Sequence, residues 1–151
     1  MKLYRVCNEN EGKIILKSKD FSELGSNYYR SFKNDFNYDP KKKYLHFFSH
    51  FGDIHYLNLH KGNYICEYDI PDELIPEPSH GYYMDFVSFN NPDEVDEYII
   101  ESKDIKFDYL TEMNEILVYI DYEDYIYGDF SSMIKCVYKK DRELKYEKKL
   151  Y

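Results

Sequence analysis

Val95-Asp96-Glu97-Tyr98-Ile99-Ile100-Glu101 is an apolar run with carboxylates set into it, and two more apolar runs follow at 105–110 and 115–120. β-Branched and aromatic residues bounded by turn formers are the signature of strands. Three strands in succession favour a mainly antiparallel sheet, hence an α+β domain. Upstream, residues 2–7 (KLYRVC), 44–49 (YLHFFS) and 64–70 (YICEYDI) have the same character, the last stopped by Pro71. Residues 81–89 are aromatic and read as a strand-like arm. Helices are expected to be few and short. A polar break at 8–12 and an apolar stretch at 14–16 come first, and Asp20 or Ser22 can then cap a short helix. A second covers 51–60 and ends at Gly62. Pro71 opens a single helical turn. Residues 133–149 form a terminal helix, from Ile134, Val137 and Tyr138 at helical spacing. The polar, aromatic stretch 25–43 is expected to be a long excursion that covers a cleft.

The expected architecture is α+β, with a split or curved sheet. At 151 residues the chain makes one domain, its core at about 2–120 and a C-terminal extension at about 121–151. A domain of that size buries roughly 70% of its unfolded surface, so it needs no staple. Nineteen tyrosines and ten phenylalanines carry much of the apolar area, with no tryptophan. Each buried tyrosine needs a partner or a path to water for its hydroxyl.

The formal net charge of −9 disfavours general nucleic-acid binding and docking on anionic membranes. Local basic spots remain at Lys41, Lys42 and Lys43 and over 135–149. Cys7, Cys66 and Cys136 are odd in number and far apart in sequence, which fits free thiols in a reducing, cytoplasmic setting. No apolar stretch reaches the length of a membrane span, and the N-terminus has no apolar run of signal-peptide length.

His46, His50, His55 and His60 fall within fifteen residues. Five residues turn a helix through about 500°, so His55 and His60 do not share a face, and no metal site is expected. No phosphate-cradling glycine motif and no nucleophile elbow occurs. Glu97 is the residue that breaks its pattern. In a strand it shares a side with Val95 and Ile99, and a carboxylate so flanked costs several kcal/mol to bury unless paired or used. Arg5, within the first strand, is its natural counterpart. The two form either a structural ion pair or part of a site.

Taken in order, LYRV (3–6), YLHFFS (44–49), YICEYDIP (64–71), GYY (81–83) and DEYIIESKDIKFDYL (96–110) resemble the ADP-ribosyltransferase-like fold in its arginine-serine-glutamate branch. The resemblance runs over roughly residues 2–120. It implies that Arg5 and Ser49 bind NAD as substrate, with His46 able to take the polar second-strand role. It also implies that Glu97 is the catalytic carboxylate, stabilising positive charge on the ribose as nicotinamide leaves. Two departures stand out. Phe47-Phe48-Ser49 replaces the family's serine-threonine-serine run, and Val95 stands where arginine-modifying members carry Glu or Gln. The activity implied is a mono-ADP-ribosyltransferase acting on a macromolecular target, such as a protein. The alternative is a non-enzymatic protein-interaction or inhibitor module, which the acidic, tyrosine-rich composition favours.

Overall fold

A computed structural model describes residues 1–25, 39–49, 64–81, 95–117 and 134–140. It shows an α+β protein in which an antiparallel sheet carries, among the described residues, one α-helix. The strands are β1 (Lys2–Cys7), β2 (Tyr44–Phe48), β3 (Tyr64–Asp69), β4 (Ser79–Gly81), β5 (Val95–Glu101), β6 (Leu110–Ile116) and β7 (Ile134–Lys139), and the helix is α1 (Glu9–Ser18). Among the described residues these strands form one continuous sheet in the order β4-β5-β2-β1-β3-β6-β7, every neighbouring pair antiparallel. The first strand of the chain is therefore the centre of the sheet.

α1 begins within the stretch read as a polar break. Asn8 is its N-cap, its side chain accepting from the Glu11 backbone N–H at 2.8 Å. Asn followed three residues later by Glu is a helix-start signal, and the two acidic residues of the first turn suit the positive end of the helix dipole. Residues 14–16 therefore sit inside a helix capped from Asn8, while Asp20 and Ser22, expected to cap a short helix, lie beyond its end in a bridge and a turn. The helix ends at Lys19, in the left-handed conformation with φ 57°.

α1 packs on one sheet face. Leu3, Cys7, Phe47, Cys66, Tyr68 and Tyr98 from that face join Ile15 and Leu16 of the helix in the main core. Contact is close where α1 crosses β3. A Cβ on Gly12 would lie 2.9 Å from two ring carbons of Tyr64, so that helical position excludes any side chain. The opposite sheet face holds a second set of buried residues, including Tyr44, Phe48, Ile65 and Ile99, outside the helix-side cluster.

β1 and β5 match the expected spans, and β2 and β3 end one residue early. Three other expectations need correction. Residues 105–110 do not form a strand. They form a 3-10 turn at Phe107–Tyr109, and Leu110 opens β6. The strand expected at 115–120 begins earlier, as part of β6, and its residues 118–120 lie outside the described residues. The terminal helix expected at 133–149 begins instead as β7, paired with β6 across a register shift at Met113/Asn114. Val137 and Tyr138 are both buried against the core, and the unsatisfied edge of β6 offered them a ladder that a helix could not complete. The single turn after Pro71 is present at Asp72–Leu74. The expected helix at 51–60 with His50, His55 and His60, most of the arm at 81–89 and most of the excursion at 25–43 lie outside the described residues.

The fully buried Tyr64 makes stability sensitive to alkali. Burial, with the charges of Glu115 and Glu9 adding to it, pushes its hydroxyl up from 10.0 to about 12. The folded state thus holds a proton that the unfolded chain releases first. The contribution is complete below pH 10 and is lost as pH rises toward about 12. Urea midpoints measured on either side of pH 10 should fall with rising pH, and Tyr64→Phe should flatten that fall. An equally steep fall in the variant would assign the effect to other groups.

Candidate functional site

Directly opposed residues of an antiparallel pair project to the same face, and successive residues alternate. Tyr4 stands opposite Phe48, and Phe48 opposite Glu97. Tyr4, Phe48 and Glu97 therefore form one row across β1, β2 and β5. Arg5 is the next residue along β1. It points to the other face, where Cys66 is its partner on β3. The two charged residues singled out in the sequence lie on opposite sides of the sheet and do not form an ion pair with each other.

Each has a different neighbour. Arg5 meets Glu11 in the first turn of α1 through two parallel contacts, Nε to Oε2 at 3.1 Å and Nη2 to Oε1 at 2.8 Å. Its Nη1 also donates to the backbone carbonyl of His46 at 3.4 Å. Both side chains of this pair are mostly buried, at 16% and 13% exposure. Burial alone would lower the guanidinium's pKa, but the charge and hydrogen bond of Glu11 outweigh it and the net shift is upward. The fork-to-fork geometry joins the central strand to the start of the helix.

Glu97 is fully buried on the far face. Its Oε1 lies 3.5 Å from His46 Nδ1, a pair that carries opposite charges only when the imidazole is protonated. Neither carboxylate oxygen of Glu97 accepts a hydrogen bond among the described residues. Ser49 follows the last residue of β2 and is half-buried. The tertiary structure thus brings His46 and Glu97 together and directs Arg5 elsewhere.

No family model, curated protein or solved structure matches the chain.

Two further groupings are present. A hollow of about 220 Å³ is lined by Ser22, Glu23, Lys41, Lys42, Lys43, Glu101 and Lys103. Two carboxylates offset half of its four lysines: Lys43 meets Glu23 at 3.3 Å, while Lys42 and Lys103 share Glu101 at 3.8 and 3.5 Å. On the helix side, Cys7 and Cys66 lie with their sulfurs 3.7 Å apart. Sequence reasoning missed that pair because 59 residues separate its members. The alternation of LYRVC and YICEY could have put each cysteine on a definite face, but only the β1–β3 register puts them on the same one. No group of three or more potential metal ligands occurs among the described residues. Among them, too, no helix is long and apolar enough to cross a membrane.

Proposed function

We propose that this chain is a non-enzymatic protein-interaction module. The observation that carries the proposal is the division of Arg5 and Glu97 between the two faces of the sheet. Cleavage of the nicotinamide–ribose bond needs a cation to hold the dinucleotide and a carboxylate at the ribose, both reaching one substrate. Here the cation is engaged by Glu11, and its side chain is turned away from the carboxylate. Composition agrees. A net charge of −9 suits recognition of a basic protein surface. Nineteen tyrosines supply rings of the kind enriched where proteins meet.

One observation favours the competing reading, an NAD-dependent transferase on an ADP-ribosyltransferase-like fold. Glu97 is buried without a hydrogen bond, and such strained carboxylates cluster at working sites. Thermal unfolding with and without NAD separates the two. A competent pocket at a hundredfold excess of ligand over Kd gains about 2.7 kcal/mol. The interaction reading expects no shift at millimolar NAD and no release of nicotinamide. Nicotinamide release that disappears in Glu97→Gln would overturn it.

A further inference from the structure

The Cys7–Cys66 pair is part of neither reading above. Both thiols are buried, Cys7 at 5% exposure and Cys66 at none. They project from adjacent antiparallel strands on the helix side. Arg5 stands opposite Cys66 and Cys7 stands opposite Tyr64, so the two sulfurs reach toward each other along the diagonal of the ladder and meet at 3.7 Å. A disulfide bond is about 2.05 Å long, which leaves the sulfurs to close by roughly 1.7 Å. The hydrogen bond with Cys66 and burial hold the Cys7 thiol well above its usual range, and Arg5, two residues away on the same face, offsets only part of that. The third cysteine, Cys136, lies on β7 with its thiol turned to the carbonyl of Tyr138 at 3.2 Å. It is partly exposed.

We propose that Cys7 and Cys66 form a reversible, redox-active dithiol that closes to a disulfide between β1 and β3 when a peroxide oxidant is present. The Cys7 sulfur attacks the peroxide as it gives up its proton; the O–O bond breaks, a sulfenic acid forms and the departing hydroxide leaves with that proton as the first water. The Cys66 sulfur then attacks the sulfenic sulfur. The S–S bond forms, the S–O bond breaks and a second water departs. Two electrons pass from the thiols to the peroxide, and both thiol protons end in water. Diagonal neighbours sit farther apart than the directly opposed pairs that disulfides bridge most easily. Bridging that diagonal departs from the favoured disulfide geometry, and disulfides held off that geometry are the readily reduced ones. The bridge is accordingly a switch and not a permanent staple. It tightens the sheet at the strand that holds the Arg5–Glu11 pair.

The test uses the folded full chain as Cys136→Ser, which leaves both buried thiols in place. After hydrogen peroxide, the chain is denatured, alkylated and mapped by mass spectrometry. The expected product is a cross-linked pair of peptides containing Cys7 and Cys66, lighter by two hydrogens, and reversed by millimolar reduced glutathione. Cys66→Ala in the same background should yield no bridge. Recovery of both cysteines fully alkylated would overturn the proposal. So would a bridge that forms in urea but not in the folded chain, because the native geometry would then play no part.

Discussion

Arg5→Ala is expected to lower the free energy of unfolding by about 3–5 kcal/mol, the usual cost of removing one member of a buried ion pair. The alanine leaves the Glu11 side chain, 13% exposed while the pair is intact, without its two guanidinium contacts. It also removes the donor to the His46 carbonyl. The central strand of the sheet loses its link to the first turn of α1 in the same step. Much of the loss is the cost of a stranded charge and not the worth of the pair itself. The double variant Arg5→Met with Glu11→Leu should therefore recover most of it. Urea unfolding of the two single variants and the double variant measures the difference. A loss below about 1 kcal/mol in Arg5→Ala would mean that the pair behaves as an ordinary surface ion pair.

Glu97→Leu is expected to act in the opposite direction, raising stability by about 1–3 kcal/mol. Glu97 has no solvent exposure, and its oxygens accept no hydrogen bond among the described residues. Its 3.5 Å approach to His46 lies beyond good hydrogen-bonding distance. A buried polar group without partners costs about 1–3 kcal/mol in protein mutational data, and a leucine of similar volume removes that cost. Glu97→Gln should gain less, because the amide still needs partners. A destabilised Glu97→Leu chain would show that the carboxylate is held more firmly than its geometry suggests. Kept at a cost to stability, Glu97 is also the residue whose replacement tests function most directly, since nicotinamide release in the transferase reading depends on it.

Much of the β architecture was legible because alternation is a local property. LYRVC, YICEY and VDEYIIE carry it within a few residues, and β1 and β5 fall where that pattern put them. The burial of Glu97 was legible for the same reason, since Ile99 two positions away marks its side as apolar. α1 was missed although its signal was present. Asn8 and Glu11 make a recognisable helix start, but a run of four polar residues was read as a loop. β7 was not legible. Ile134, Val137 and Tyr138 fit a helix as readily as a strand, and only the open edge of β6 decides between them.

The pairing of charges shows where local information ends. Sequence alone determined that Arg5 and Glu97 sit in strands, that each is flanked by apolar residues, and that the chain is acidic and rich in tyrosine. Tertiary structure alone decided which strands are neighbours and in what register. Shifting a strand by one residue exchanges every side chain between faces, so the choice of partner for a buried charge rests on contacts made across dozens of residues. That choice gave Arg5 to Glu11, Glu97 to His46 and Cys7 to Cys66. On the helix side the close fit of Gly12 to the Tyr64 ring sets α1 against β3, a contact no local pattern encodes.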